Sequence, residues 1–183
     1  MHKKIIVRIA EGLGNQLFMY ANSLALSKKF NCELNIDNTS GYFKKKNQNR
    51  SYILDKFNIS ANLSDKNLRF DNYYLDIKRK YLKKTDFLRK NKRFIIEKLD
   101  DNKKTFFSDH SSGSFSNNIF VEGHFESERY FDNYKNIIKK EFIIKDQFLD
   151  ANNYSKMLSD TNSVSIALRQ NRFSEGYKKD NIK

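Results

Sequence analysis

The sequence contains a single cysteine, Cys32, no proline and no long apolar run. One cysteine cannot form a disulfide within the chain, so nothing in the sequence indicates an oxidising compartment. The three histidines (His2, His110 and His124) lie far apart and have no metal-ligand spacing with Cys32, so we predict no metal site. No apolar segment approaches the roughly 20 residues that cross a bilayer, and the one at residues 1–9 is too short for a signal peptide. We therefore expect a cytoplasmic protein.

The chain carries a large excess of basic residues: 35 Lys and Arg against 22 Asp and Glu give a formal net charge of +13. Two explanations stay open. The abundance of Lys, Asn, Ile, Phe and Tyr is typical of an AT-rich coding sequence, which would make the basic surface generic. Alternatively, the charge attracts an anionic nucleotide or anionic lipid head groups, with peripheral contact at a membrane. Nucleic acid is not expected as a partner, because the basic residues are scattered rather than gathered on one helix.

The N-terminal segment predicts a strand, a glycine loop, a helix and a second strand. The β-branched run at residues 5–9 ends at a loop, residues 11–16, and apolar residues then recur at helical spacing up to Lys28. Residues 32–37 alternate in polarity and predict the second strand. A strand, a helix and a parallel strand form a βαβ unit, so the fold class predicted is α/β.

The rest of the chain gives weaker signals. We predict a short strand or turn at 50–59, mixed helix and irregular structure at 71–98, and a loop at 108–118. A buried strand is expected at 119–125, followed by a short helix at 128–134 that Ser127 caps. Further helical pieces are predicted at 136–142 and 148–158, and a clear hydrophobic strand at 163–169.

Two domains are expected from this order of elements. The strand at 163–169 needs neighbouring strands that the preceding segment does not offer. We therefore assign residues 1–155 to a Rossmann-like N-terminal domain and residues 156–183 to the start of a second domain.

The loop Gly12-Leu13-Gly14-Asn15-Gln16 lies where a backbone can approach a ligand, between a strand and a helix N-terminus that attracts anions. It is not the dinucleotide-binding fingerprint, since Leu17 occupies the position of the third glycine. The alternative is a tight turn in which Asn15 and Gln16 cap the helix.

Three stretches in this chain resemble the α-1,2-fucosyltransferase family (glycosyltransferase family 11 type). IIVRIAEGLGNQLFMY at residues 5–20 is similar to the family's opening strand, GGLGNQ loop and helix. VEGHFESERYF at 121–131 is similar to its mid-chain segment, and VSIALRQNRF at 164–173 to its "VSIHVRRGDY" strand and loop. The order and spacing of the three agree, and together they span the chain.

The resemblance implies a two-domain GT-B-type glycosyltransferase for polysaccharide biosynthesis, with the acceptor-side domain first. It implies inverting, metal-independent transfer of fucose from GDP-fucose, a co-substrate rather than a cofactor, to a sugar hydroxyl of a glycan. Arg169 occupies the position whose arginine holds the donor pyrophosphate, which makes it the expected catalytic residue. Gly12, Gly14, Asn15 and Gln16 would face the substrates across the cleft.

Departures from the family pattern keep other donors open. Ala167 replaces a histidine, Gln170 replaces the second arginine of the loop, and Glu11 replaces a glycine. Arg172 is the expected substitute for the missing charge. A different sugar nucleotide on the same fold is therefore an alternative.

The middle segment gives two further candidates, and the length of the chain gives a last expectation. His124 is a candidate substrate-binding residue, whereas Glu126 fits a solvated carboxylate at a helix start better than a general base.

Because most of a donor-binding domain would be missing from 183 residues, we expect the isolated chain to have little or no transferase activity. A non-catalytic carbohydrate- or polyanion-binding fragment is the alternative from another functional class.

Overall fold

The structure is a computed structural model that describes residues 3–44, 50–99, 105–106, 114–149, 157–158, 160–164 and 166. The chain divides into two compact units, Met1–Asp146 and Gln147–Lys183. The strands and the three α-helices named below all belong to the first unit, and Met157 and Leu158 of the second unit are also helical.

The first unit alternates strands with helices. The strands are β1 (Lys4–Arg8), β2 (Glu33–Asp37), β3 (Asn62–Leu63), β4 (Lys92–Ile96), β5 (Lys98–Leu99), β6 (Thr105–Phe106) and β7 (Phe115–Glu122). The helices are α1 (Leu13–Lys29), α2 (Tyr73–Lys84) and α3 (Lys135–Glu141), and several single 3₁₀ turns connect the elements. No helix in these ranges is both long and apolar enough to cross a membrane.

The main sheet has five parallel strands in the order β3-β2-β1-β7-β4, and β5 and β6 form a separate antiparallel pair. The predicted βαβ unit is confirmed, because Lys4 pairs with Glu33 and Arg8 with Asp37 across β1 and β2. The chain moves from β1 to β2 on one side, whereas β7 lies on the other side of β1. β1 and β7 therefore form a topological switch point, where α/β sheets characteristically bind ligands.

The core is centred on β1, whose middle residues Ile5, Ile6 and Val7 are at most 1% exposed. A parallel strand that is buried on both faces needs cover on both sides of the sheet. α1 packs against one face of the sheet and is itself buried over most of its length, with Met19, Tyr20 and Leu24 in the core. The α/β class predicted from the sequence is confirmed, and the five-stranded parallel sheet is consistent with a Rossmann-like domain.

α1 forms where the pattern predicts it, and its start corrects one alternative. The segment has no proline or β-branched residue, and Lys28 and Lys29 in its last turn complement the helix dipole. The N-cap is Gly12, with no side-chain cap hydrogen bond. Capping of this helix by Asn15 and Gln16 is therefore wrong, because both residues lie inside its first turn.

Five strands were missed or misplaced by the sequence analysis: the two-residue strands β3, β5 and β6 were not predicted, and the longer β4 and β7 lie where other structure was expected. β4 lies in the segment predicted to be mixed helix and irregular structure, and β7 begins at Phe115, inside the predicted loop 108–118. Residues 108–113 of that loop lie outside the described residues. Polar Ser116 and Asn118 suggested a loop, but the backbone of this stretch pairs with β1, as Lys4 with Asn118 shows. Backbone pairing does not depend on side-chain polarity, so composition concealed this strand.

The segment after β7 largely agrees with prediction. The Ser127 hydroxyl accepts a hydrogen bond from the Arg129 amide at 3.4 Å, as the capping prediction requires. The turns that follow are 3₁₀ helices, Glu128–Tyr130 and Asp132–Tyr134, rather than one short α-helix. The helical piece predicted at 136–142 is confirmed as α3.

The hydrophobic strand predicted at 163–169 is not formed where that stretch is described. Ser163, Val164 and Ile166 have no regular secondary structure, and the side chains of Val164 and Ile166 are 89% and 79% exposed. A strand needs a partner for its ladder, and the described part of the second unit offers none. Residues 150–156, within the helical piece predicted at 148–158, lie outside the described ranges.

Candidate active site

The loop after β1 turns sharply at Glu11, whose φ of 64° lies in the left-handed region that favours glycine. For an L-residue this conformation costs about 1–2 kcal/mol. Several contacts hold it: the Glu11 carbonyl accepts hydrogen bonds from Gln16 Nε2 at 3.0 Å and from the Tyr42 hydroxyl at 3.4 Å. Its carboxylate pairs with Arg50. Glu11 is the position at which the resembling family carries glycine.

The side chain of Gln16 is fully buried and forms hydrogen bonds to the backbone of this loop and of a neighbouring segment. Its Nε2 donates to the carbonyls of Glu11 at 3.0 Å and Ser51 at 2.8 Å, and its Oε1 accepts from the Ile53 amide at 3.0 Å. All of these partners are backbone groups of the protein. In this conformation Gln16 positions the loop and does not itself reach the surface.

Gly12, Gly14 and Asn15 lie at or near the start of α1, and the structure does not gather them into one pocket. A Cβ placed on either glycine would meet nothing within 4 Å, so both border open space. Gly14 lines an apolar crevice of about 250 Å³ together with Phe18, Phe131 and Phe142. Asn15 is half-buried and borders neither that crevice nor the polar cleft described below.

His124 lies in a tight turn that follows β7. Glu97 Oε2 accepts hydrogen bonds from the amides of His124 at 2.7 Å and Phe125 at 2.9 Å. Gly123 is required here, because a Cβ would lie 2.4 Å from the Cβ of Glu97. Phe125 has a φ of 53° and a fully buried ring, which anchors the turn in the core. The His124 side chain is half-exposed, with Nδ1 4.0 Å from Oε1 of Glu126.

These two loops border one polar cleft of about 310 Å³ at the carboxyl ends of β1, β4 and β7. Its lining combines charged, polar and apolar groups: Arg8, Ala10, Glu11, Met19, Lys83, Ile96, Glu97, Glu122, Gly123 and His124. The structure therefore brings His124 close to Glu11 in the loop after β1. Gly14 and Gln16 are not part of its lining.

Two residues of the cleft lining, Glu122 and Lys83, belong to a network of charged side chains. Glu122, 8% exposed, accepts hydrogen bonds from Arg79 at 2.6 Å and Lys83 at 2.7 Å. Arg79 also bonds Asp76 at 2.7 Å, and Lys44 pairs with the same carboxylate. Burial alone would raise the pKa of Glu122, but the charges of Arg79 and Lys83 hold it below its ordinary value.

Arg8 ends β1 and brings a guanidinium into the cleft. One terminal nitrogen donates to the Ser40 carbonyl at 2.9 Å, whereas its Nε is buried and has no partner among the described residues. Burial lowers the pKa of Arg8, opposed by the nearby carboxylate of Glu122. A buried donor with no partner is costly, so this nitrogen is a place where a ligand oxygen would be stabilising.

The sequence analysis missed Arg8, Glu122, Lys83 and Glu97. The signal for the first two was present: each is a charged residue that ends a buried hydrophobic strand, IIVR in β1 and IFVE in β7. Lys83 and Glu97 carry no such signal, because only the tertiary fold brings α2 and the end of β4 to this edge.

Arg169 and Arg172, the residues predicted to bind the donor, lie outside the described residues. Their roles stay predictions of the resemblance. Within the described ranges, no group of three or more His, Cys, Asp or Glu side chains could hold a metal ion.

Comparison with known proteins relates the chain to glycosyltransferases. It is 31% identical over 169 residues to an alpha-1,2-colitosyltransferase from Escherichia coli, an alignment that covers 91% of this chain. The chain spans about half the length of that relative, 54%. No family model matches, and no solved structure matches.

Proposed function

We propose that this chain forms the acceptor-side domain of a glycosyltransferase that moves fucose, or a sugar similar to it, from a GDP-sugar to a glycan hydroxyl. The similarity to a colitosyltransferase along 91% of the chain carries this proposal. Two features of the fold support it: the α/β sheet and the polar cleft at its topological switch point.

The cleft offers suitable groups for a sugar acceptor. Arg8 and Lys83 donate hydrogen bonds, the carboxylates accept them, and Met19 and Ile96 provide apolar surface for the C–H faces of a sugar ring. His124 lies at the cleft with a half-exposed ring, where it would contact the acceptor. The hydrogen bonds from the amides of His124 and Phe125 to the Glu97 carboxylate fix the turn that carries this ring.

Arg169 is proposed to bind the pyrophosphate of the donor, with Arg172 adding positive charge. As the glycosidic bond breaks, negative charge accumulates on the leaving diphosphate. A guanidinium keeps its charge and offers two parallel hydrogen bonds to such a group. Stabilisation of this kind contributes about 3–4 kcal/mol to a transition state in a water-excluded site.

Colitose is the second candidate for the transferred sugar. The relative is an α-1,2-colitosyltransferase, and the loop around Arg169 departs from the fucosyltransferase pattern at Ala167 and Gln170. Both observations favour a donor other than GDP-fucose, with the α-1,2 linkage retained.

A transfer assay tests the proposal, on the longest polypeptide of the native gene that contains this chain. GDP-fucose, GDP-colitose and UDP-sugars are compared with galactoside acceptors, and GDP release and product are both measured. We expect turnover with one GDP-sugar, a loss of about 100-fold or more in Arg169→Ala, and unchanged rates in the surface control Arg129→Ala. Absence of turnover with every donor, or equal effects of the two substitutions, would contradict the proposal.

The cleft is tested separately through the acceptor. His124→Ala is expected to raise KM for the acceptor while KM for the donor stays constant, and Arg129→Ala, at an exposed position outside the cleft lining, serves as the control. A change confined to the donor KM would place the acceptor elsewhere.

A further inference from the structure

The outer surface of residues 73–90 is unusual, because large apolar side chains face solvent there. Six of them are between 66% and 76% exposed: Tyr73, Tyr74, Ile77, Tyr81, Phe87 and Leu88. Lys78, Lys80 and Lys84 of α2 are also exposed, as are Arg89 and Lys90 beyond it. We name this surface the α2 outer face.

Helical geometry gathers these groups on one side of α2. At 100° per residue, Tyr73, Ile77, Tyr81 and Tyr74 fall within an arc of about 100°. Lys78 and Lys80 lie on opposite flanks of that arc, and Lys84 lies within it. The result is an apolar stripe bordered by positive charge, the pattern of a helix that lies in a membrane interface.

The acidic residues of this segment point inward. Asp76 and Asp86, the two carboxylates between residues 73 and 90, are only 2% and 7% exposed. Asp76 bonds Arg79, and Asp86 accepts hydrogen bonds from the backbone amides of Arg93 and Phe94. Lys80 lies 3.5 Å from Asp76, but that carboxylate also pairs with Lys44 and Arg79, so the net charge of the outer face stays positive.

We propose that the α2 outer face binds the surface of an anionic lipid bilayer. Tyrosine suits this role, because its ring has an apolar body and a polar hydroxyl and is favoured at the head-group level. Positive charge complements anionic lipids, and each basic residue near the surface strengthens binding. A second copy of the same face would bring these lysines against one another, which disfavours self-association. α2 has only 12 residues, so it lies on the bilayer rather than across it.

Vesicle sedimentation tests this proposal with the full 183-residue chain and no sugar nucleotide, so its outcome is independent of the proposed enzymatic function. Vesicles of phosphatidylcholine and phosphatidylglycerol in equal parts are compared with vesicles of phosphatidylcholine alone. We expect binding to the anionic vesicles, weakened by added salt because surface charges are screened, and little binding to the neutral ones.

Two sets of variants separate charge from apolar contact. Replacing Lys78, Lys80 and Lys84 together by Gln should weaken binding to anionic vesicles by about 100-fold at low salt. The matched control replaces the exposed Lys66, Lys139 and Lys140 by Gln, which removes the same net charge from other elements. Its effect should be about threefold or less.

The apolar set replaces Tyr74, Ile77 and Tyr81 by Ser and should weaken binding by at least about tenfold. Its control replaces Leu63, Ile137 and Ile143, which are exposed on other elements, by Ser. Circular dichroism and urea midpoints check that each variant is folded, as expected for surface positions.

Three results would overturn the proposal. The first is no preference for anionic over neutral vesicles. The second is an equal loss of binding in a variant set and its control. The third is a sedimentation coefficient that rises with protein concentration and falls back in the Tyr74, Ile77 and Tyr81 variant, which would identify a second copy of this chain as the occupant.

Discussion

Arg79→Met should destabilise the first unit strongly, because Arg79 joins two buried carboxylates. Its side chain is 11% exposed and contacts Asp76 at 2.7 Å and Glu122 at 2.6 Å, whose side chains are 4% and 9% exposed. Removing one partner from a buried ion pair costs about 3–5 kcal/mol, since a buried charge is left without compensation. Lys44 and Lys83 still contact these carboxylates, so we expect the lower half of that range. Methionine preserves most of the volume and removes only the charge and the hydrogen bonds.

Urea unfolding followed by circular dichroism measures this effect. With a typical slope of about 2 kcal/mol per molar urea, a loss of about 3 kcal/mol lowers the midpoint by about 1.5 M. Lys80→Met is the matched control: the same change on the same helix, at a side chain 65% exposed and 3.5 Å from Asp76. An exposed pair of this kind contributes less than about 1 kcal/mol.

A third variant tests the stated cause. If uncompensated charge is responsible, adding Glu122→Gln to Arg79→Met should recover part of the lost stability, although Glu122→Gln alone destabilises. If Arg79→Met costs no more than Lys80→Met, the reasoning about buried charge is refuted.

Three further predictions concern the same region. The pKa of Glu122 is held below its ordinary value of 4.5. The ionised carboxylate therefore stabilises the folded state fully above that pH, and this contribution is lost as the pH falls. Between about pH 5 and pH 3, the urea midpoint of Glu122→Gln should fall less than that of the native chain. Glu11 has a left-handed backbone, so Glu11→Gly should be more stable to urea than Glu11→Val by at least about 1–2 kcal/mol. Both variants lose the ion pair with Arg50, and only valine keeps the backbone strain of a positive φ. Equal midpoints would contradict this. Gln16→Leu removes the three hydrogen bonds that this buried side chain makes to the backbone of Glu11, Ser51 and Ile53, and should cost about 2–4 kcal/mol in the same assay. Asn15→Leu in the same helical turn should cost less than about 1 kcal/mol.

The elements that the sequence predicted best are those with local signals. β1, α1 and β2 follow from a short β-branched run, a helical period and an alternating run, all within residues 4–37. β4 and the first half of β7 were missed because their pairing is decided at a distance. Lys92 pairs with Phe115 and Phe94 with Phe120, so the register shifts where the sequence is polar.

The distinction between local signals and contacts between distant residues also applies to the candidate site. The glycine loop and His124 were predictable from the resembling stretches and their position beside strands. The charge network was not, because Arg79 and Glu122 are 43 residues apart and meet only through the sheet order. Glu97 likewise reaches the His124 turn only because β4 lies beside β7.

The position of β7 has a consequence for how this protein folds during synthesis. β7 is the last strand of the sheet in chain order, yet it lies between β1 and β4 and is the strand that joins β4 to the rest. Its pairing of Lys4 with Asn118 closes a long loop, which is a slow step. Until residues 115–122 have left the ribosome, β1 keeps an open edge and β4 has no neighbour in the main sheet. The polar cleft therefore forms only when this strand inserts, so binding competence and completion of the sheet arise in one event.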